Sequence, residues 1–226
     1  MTDITKLSVI EQFFFYMGEN GSYIFSQFIN HFLLSIYGVL LASVVGIPIG
    51  IVISKFPRSS GLIITLANII QTIPALALMA MIMLVLGLGK TAVIVTVFFY
   101  SLLPIIKNTH VGITTINHSL TDAGRGMGMT KLQVLYMVEI PLSLSVIITG
   151  IRIALVVAIG IVAIGAFIGA GGLGDIIVRG TNATNGTAII LAGAIPTALM
   201  AILADVLLLW LERRLDPTKR KKLKIV

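Results

Sequence analysis

Few residues of this chain form patterns that could bind a cofactor or a metal, and none of these patterns meets the requirements of such a site. Residues Gly169 to Gly174 spell G-x-G-x-x-G, which binds a dinucleotide when it follows a strand in a βαβ unit. Here the pattern follows a long apolar run that predicts a helix, so we exclude nucleotide binding. His31, His110 and His118 do not have metal-ligand spacing and are interpreted as structural. We therefore expect no metal site and no cofactor.

Two absences from the sequence narrow the function further. The chain has no cysteine, which excludes disulfides and thiol catalysis. It has no P-loop pattern, so it cannot hydrolyse ATP itself. A membrane enzyme is disfavoured because no cluster of histidines and carboxylates is present. A binding or transport function remains.

The composition is that of an integral membrane protein. The chain has 226 residues, of which 57% are hydrophobic and 11% are charged, whereas charged residues make up about a quarter of a soluble domain. The net charge of +7 comes largely from a basic tail after the last apolar run. Such a tail predicts a cytoplasmic anchor, and not a nucleic-acid site.

Apolar runs of about 20 residues are long enough to cross a bilayer. We predict five such spans, and therefore an all-α fold with five transmembrane helices. The predicted spans are Phe28–Ile53, Leu62–Leu86, Ala92–Val111, Leu142–Ala170 and Thr187–Leu211. Four of them contain a proline, which predicts kinked helices: Pro48, Pro74, Pro104 and Pro196. Gly46 and Gly50 permit close helix contact, either within one subunit or at a dimer seam.

Lysine and arginine predict the orientation. Most of them fall in loops that would be inside if the N-terminus lies outside. The predicted organisation is an extracellular N-terminal segment over 1–27 with an interfacial helix, a transmembrane domain over 28–211, and a basic cytoplasmic tail over 212–226. The helix predicted near Phe13 and Met17 either lies in the outer interface or packs onto the bundle.

Two charges fall deep inside the predicted spans, whereas Lys107 lies near the end of span three and could snorkel to the interface. From the ends of spans four and five, Arg152 and Asp205 lie at similar depths, ~16 Å and ~12 Å from the inner surface at ~1.5 Å per residue. A lone charge near the bilayer centre costs ~2.5–3.5 kcal/mol and such residues usually pair. We predict an ion pair that either clamps the two spans or breaks during gating. Separate snorkelling of each charge is the alternative.

A polar segment, residues 117–141, separates two apolar spans and is predicted to lie inside. Ser119 and Thr130 each begin a helix-capping pattern, and Gly128 between them predicts a left-handed turn. The expected structure is a helix, a glycine turn and a second helix that ends before Pro141. Ala123, Gly124, Gly126 and Gly128 add little bulk, so another protein could approach the first helix closely.

This segment resembles the coupling loop of ABC-importer permeases with the MetI-like fold, whose pattern is Glu-Ala-Ala, three residues, Gly, nine residues, Ile-x-Leu-Pro. Asp122, Gly124, Val138 and Ile140 are substitutions within the pattern, whereas Gly128 and Pro141 fall on expected positions. The resemblance implies contact with an ATP-hydrolysing subunit through eight residues. They are Asp122, Ala123, Gly124, Arg125, Gly126, Met127, Gly128 and Met129.

Further stretches are similar to the osmoprotectant-uptake branch of these permeases, which serves glycine betaine, carnitine and choline. They are Gln71 to Ala77, Tyr100 to Pro104, Ala123 to Thr130 and Phe167 to Gly174. The resemblance implies a multi-pass permease of a bacterial plasma membrane. Its implied partners are a pair of ATP-binding subunits, a second permease copy or a homologous permease, and an extracytoplasmic substrate-binding protein. Methionine and ergothioneine importers, and a small oligomeric channel, are the alternatives.

The transport path and its outer gate are predicted on two spans. Asn68, Gln71 and Thr72 share one side of span two beside Pro74, where they form either interhelical contacts or the wall of a path. No acid lies there to hold a cation. A weakly polar path suits a zwitterion that must be released. The resemblance places Gly169, Gly171, Gly172 and Gly174 by an outer gate, with a simple tight connection as the alternative.

Overall fold

The computed structural model describes residues 8–215, which form helices and no strand. Ten α-helices follow one another along the chain: α1 Val9–Glu19, α2 Gly21–Lys55, α3 Pro57–Thr72, α4 Ala75–Leu86, α5 Lys90–Thr114, α6 His118–Gly126, α7 Lys131–Val134, α8 Ile140–Ile164, α9 Leu173–Thr181 and α10 Thr187–Leu215. A π-helical turn, Leu135–Glu139, joins α7 to α8, and a 3-10 turn, Gly165–Ile168, follows α8.

The predicted spans correspond to long apolar helices in the described part of the chain. Helices α2, α5 and α10 are each long and apolar enough to cross a bilayer, and so is the continuous stretch Lys131–Ile168. The fifth predicted span is a pair, α3 and α4, bent by 93°. The all-α membrane fold is therefore confirmed, with four continuous candidate spans in the described residues and a bent helix pair in place of the fifth.

Proline acts differently in span two than in the other spans. Pro48, Pro104 and Pro196 lie inside helices that continue through them. Pro74 instead separates α3 from α4, because it cannot donate to the preceding turn and forces Ile73 into an extended conformation (ψ 127°). The predicted kink is here a right-angled break.

The core forms where α2, α5 and α8 meet, and glycines set the spacing of these helices. A Cβ added to Gly50 would lie 2.5 Å from Cβ of Thr109, and one on Gly46 would lie 3.0 Å from Cγ2 of Ile105. A Cβ on Gly150 would meet the Pro104 carbonyl at 2.8 Å. Gly46 and Gly50 therefore pack within one subunit, which was the first of the two predicted alternatives.

Helix α1 begins with a capping box in which Ser8 and Glu11 bond each other's backbone N–H groups. The Ser8 backbone N–H, and then its hydroxyl, lower the pKa of the Glu11 carboxyl by hydrogen bonding to its charged form. Phe13 and Met17 pack against the core, whereas Phe14 is 67% exposed. The predicted apolar face is thus divided between the bundle and the surroundings.

At the other end, α10 continues to Leu215 and carries Arg213 and Arg214 in its last turn. The remainder of the predicted basic tail, from 216 to 226, lies outside the described residues. Lys6, which entered the orientation argument, lies outside them as well.

Candidate coupling loop, transport path and outer turn

The first helix of the polar segment begins earlier than the sequence pattern predicts. Its N-cap is Asn117, whose side chain accepts a hydrogen bond from the Ser119 backbone N–H at 3.0 Å. The prediction that Ser119 caps this helix is therefore wrong. Asn117 precedes it in an extended conformation and places Ser119 inside the first turn, where its N–H is the group that needs a cap.

Gly128 forms the predicted left-handed turn, with φ 85°. Met129 N–H donates to the Gly124 carbonyl at 3.1 Å, and Gly128 N–H donates to the Arg125 carbonyl at 2.9 Å. These two bonds form a Schellman motif, which satisfies the last carbonyls of α6. Thr130 and Gln133 then form the predicted capping box of α7. The turn is therefore fixed by backbone hydrogen bonds on the α6 side and by side-chain caps on the α7 side.

The second helix does not end before Pro141, contrary to prediction. Pro141 has no N–H, and the chain accommodates it through the π-helical turn Leu135–Glu139, in which Ile140 N–H donates to the Leu135 carbonyl. Helix α7 therefore continues through this turn into α8. As a result, a displacement of the loop would act directly on a membrane span.

The surface that the loop presents combines an exposed methionine and a small residue with charged side chains. Met127 is 74% exposed, and a Cβ on Gly126 would meet nothing within 4 Å. Gly124, which was predicted to leave this surface open, is instead buried and faces Met129 Sδ. Asp122 and Arg125 approach within 3.4 Å on the surface, where such a pair contributes little to stability.

An ion pair that the sequence analysis missed joins this loop to the first span. Glu139 is 6% exposed and accepts a hydrogen bond from Nζ of Lys55, the last residue of α2. The sequence offered two signals for this pair: Glu139 lies within the Ile-x-Leu-Pro pattern, and Lys55 ends an apolar run. Because the two residues are 84 positions apart, the sequence did not indicate that they meet. The pair ties the loop to α2 as well as to α8.

The break in span two is held open by hydrogen bonds to α5. Pro104 cannot donate to the Tyr100 carbonyl, and Nε2 of Gln71 donates to that carbonyl at 2.7 Å instead. The Tyr100 hydroxyl donates to the Ile73 carbonyl, which lies at the break. Two prolines on neighbouring helices are thus compensated by one pair of side chains, Gln71 and Tyr100.

The predicted path residues do not all meet. Gln71 lines a cavity of about 400 Å³ between α3, α5 and α8, together with Lys107 and Asn108. Asn68, Thr72 and Pro74 are exposed but are not part of its lining. The Thr72 hydroxyl donates to the Ile69 carbonyl at 2.7 Å within its own helix. Of the four predicted residues, the structure places one in the cavity.

The glycine-rich turn predicted to lie outside, residues 169–174, is tightly constrained. Gly169, Gly171 and Gly172 have φ values of 76°, 74° and 83°. Gly174 is helical, and a Cβ there would lie 2.0 Å from the Ala163 carbonyl oxygen. Each of these glycines is required by the backbone, three by conformation and the fourth by close approach.

Polar side chains of α2 bind this turn, and the sequence analysis did not identify them. Gly172 N–H donates to Oε1 of Gln27 at 2.6 Å, and Nδ2 of Asn30 donates to the Ala170 carbonyl at 3.2 Å. Their spacing of three residues along α2 was the available signal, since it puts both on one helix face.

His31 connects three elements at the centre of this contact. It is fully buried, Nε2 lies 2.9 Å from the Ile159 carbonyl, and Nδ1 accepts from the Leu173 N–H at 3.2 Å. Both contacts are satisfied when the ring is neutral and carries its proton on Nε2. His31 therefore has the structural role that was predicted, and it connects α2 to α8 and α9.

Arg152 lies between two carboxylates. Its Nε is 3.6 Å from Oδ1 of Asp205 and 3.8 Å from Oε2 of Glu212, both on α10. The sequence analysis proposed only Asp205 as a partner. Glu212 was missed because the last turn of α10 was assigned to the cytoplasmic tail. Among the described residues, no group of histidines and carboxylates has the arrangement of a metal site.

Comparison with known proteins agrees with this architecture. The family described as "Binding-protein-dependent transport system inner membrane component" matches residues 42–218. The chain is 61% identical to the glycine betaine/carnitine/choline transport system permease protein OpuCD of Bacillus subtilis, over 96% of this chain and 94% of that protein. It is equally identical to the choline transport system permease protein OpuBD of the same organism, over 96% of each chain.

A third relative and a solved structure extend the comparison. The carnitine transport permease protein OpuCD of Listeria monocytogenes is 59% identical over 96% of this chain and 97% of its own length. The inward-facing MetNI methionine ABC transporter contains a chain with TM-score 0.77 and 22% identity, covering 85% of this chain and 95% of that one. At that identity, the structural likeness shows the fold alone.

Proposed function

Because this chain belongs to the family of binding-protein-dependent transport system inner membrane components, we propose that it is the permease of an ABC importer for quaternary ammonium compatible solutes. The solutes are glycine betaine, carnitine and choline. The observation that carries the proposal is 61% identity, over nearly the whole chain, to permeases named for these compounds. The fold shared with a methionine transporter does not favour methionine as the solute, because the two sequences are only 22% identical.

The coupling loop supports an importer over a channel. The loop is a capped helix pair that exposes Met127 and is bonded to α2. This structure is suited to binding a partner protein, which a channel does not require. In the proposed function, the surface around Ala123, Gly126 and Met127 contacts a partner that hydrolyses ATP. Asp122, Arg125 and Met129 flank that contact, and Gly124 and Gly128 shape the turn beneath it.

The partners follow from this assignment. A pair of ATP-binding subunits supplies the energy, and an extracytoplasmic binding protein captures the solute. A second permease, either another copy or a homologue, completes the path. The open cavity beside Gln71 supports a further permease that would close it.

Movement through the permease is proposed to involve its two constrained regions. ATP binding brings the coupling loops together, and the π-helical turn transmits that movement to α8. Helix α8 ends at the glycine-rich outer turn, where Gly169 to Gly174 and His31 form the proposed gate. Gln71 lines the path, and Asn68, Thr72 and Pro74 are proposed to face it in the assembled pair.

The proposed orientation places the N-terminus outside, as the distribution of lysine and arginine predicts. The chain has no cysteine, so single cysteines can report it. A cysteine at Thr181 should react with an impermeant thiol reagent added to intact cells, and one at Arg213, exposed in the last turn of α10, should react only after permeabilisation. The reverse pattern would contradict the orientation.

The solute class is tested in cells that cannot take up osmoprotectants themselves. Expression of the chain with its partner subunits should restore growth at high osmolarity when glycine betaine or carnitine is supplied. Restored methionine uptake without uptake of these solutes would contradict the proposed class.

A further inference from the structure

Lys107 lies in the cavity beside the broken span and no carboxylate in residues 8–215 forms an ion pair with it. It precedes the end of α5 by seven residues, which places it ~10 Å along the helix from Thr114 at ~1.5 Å per residue. An ionisable residue inside a membrane span usually pairs, or faces a wet cavity with a function. Asp205 and Glu212 of α10 do not line this cavity, and both are paired with Arg152.

Lys107 is surrounded by amide groups and by apolar side chains. Asn108 and Gln71 provide amide groups, and each already uses one N–H in a hydrogen bond to a carbonyl of α5. These bonds fix both side chains and leave the second N–H of each amide group available to donate to a carboxylate. The rest of the lining is apolar and includes Val111, Ile153 and Val157.

A zwitterion with a carboxylate and a trimethylammonium group matches this arrangement. Its carboxylate would pair with the ammonium of Lys107, and its methyl groups would lie against the apolar wall. A cation that carries no carboxylate would gain no such pair and would meet a like charge. The cavity, of about 400 Å³, is large enough for either solute.

We propose that Lys107 is a specificity-determining residue of the transport path, which binds the carboxylate of the solute while Asn108 and Gln71 position it. This inference rests on the proposed function, because it concerns the same solutes. It assigns to the permease a preference for carboxylate-bearing solutes, separate from the selection made by the binding protein.

The test compares uptake of radiolabelled glycine betaine and choline by the complete transporter. Both solutes are presented through the same binding protein, so its contribution cancels when the ratio of their rates is compared between permease variants. Lys107→Gln should lower that ratio about tenfold, through loss of glycine betaine uptake. Lys107→Arg keeps the charge and should retain most of the ratio. Lys90→Gln, at the other end of α5 and outside the cavity, should leave it unchanged.

The outcomes separate the inference from the function on which it rests. A parallel decrease in both solutes with Lys107→Gln, or an unchanged ratio, would overturn the role of Lys107. Wild-type uptake of choline without glycine betaine would overturn it as well. Uptake of neither solute by the wild type would contradict the proposed function itself. If Lys107→Gln lowers the yield of the complex, Lys107→Met and Lys107→Arg decide the question by the same ratio.

Discussion

Glu139 of the candidate coupling loop, residues 117–141, and Lys55 at the end of α2 form an ion pair across 84 residues of sequence. The carboxylate is nearly buried, whereas the lysine side chain is 42% exposed. The loop is thereby held by a side-chain contact to α2 and by a continuous backbone to α8. A force applied to the loop would reach two spans together.

Removing one partner of this pair should destabilise the protein. Lys55→Met leaves the Glu139 carboxylate buried without compensation, which we expect to cost about 1–3 kcal/mol, less than for a fully buried pair because solvent reaches Lys55. Thermal unfolding of the purified protein measures this effect. The double variant Lys55→Glu, Glu139→Lys should recover part of the loss. No loss in Lys55→Met would show that the contact is not structural.

Gly128 is predicted to be essential for coupling. A β-branched residue at φ 85° is strained by about 1–2 kcal/mol, so Gly128→Val should distort the Schellman turn. We expect normal insertion, but ATP hydrolysis that no longer drives uptake. Gly128→Asn is the matched control, because asparagine tolerates this conformation, and it should retain most of the uptake. Normal coupled uptake in Gly128→Val would contradict the role of the turn.

The outer turn provides a second test with an internal control. Gly174→Ala places a methyl group 2.0 Å from the Ala163 carbonyl oxygen, so α9 must move away from α8. We expect a loss of stability of about 1–3 kcal/mol and reduced uptake. Gly160→Ala lies in α8 with no atom within 4 Å of the added methyl group, and should be neutral or slightly stabilising. Equal effects of the two variants would refute the close-packing argument.

Charge exchange at Arg152 should now depend on Glu212. Arg152→Gln should impair assembly, because it leaves Asp205 and Glu212 close together without a cation. The exchange Arg152→Asp, Asp205→Arg should restore little, since the new aspartate faces Glu212. Adding Glu212→Gln to the exchange should restore more. The yield of assembled complex measures each step, and full recovery with the exchange alone would exclude a role for Glu212.

The sequence predicted features that depend on local chemistry. Helix type followed from apolar length, and the turn at Gly128 from its spacing between capping signals. The four prolines predicted kinks alike, and the sequence did not distinguish Pro74, where the helix breaks. Features that depend on contacts distant in sequence were missed. Lys55 with Glu139, and Gln27 with Gly172, are pairs that only the folded arrangement of helices brings together.

Two errors arose from rules applied at a single residue. Ser119 is a good capping residue, but Asn117 competes for the same helix start and lies earlier in the chain. Pro141 was taken as a helix end, yet a π-helical turn supplies the register that a proline requires. The path prediction was incomplete for a related reason. Asn68, Gln71 and Thr72 lie on one side of a helix, but their spacing does not show which of them reaches a cavity formed with two other helices.

The central claim is that this permease couples ATP hydrolysis in a partner to import of quaternary ammonium solutes. The most direct measurement uses the complete transporter in proteoliposomes, with ATP on the side of the coupling loop and the binding protein loaded with glycine betaine on the other. We predict that glycine betaine accumulates against its gradient only when ATP is hydrolysed, and that the loaded binding protein stimulates ATPase activity. Equilibration of the solute without ATP would contradict the account, because it is the behaviour of a channel.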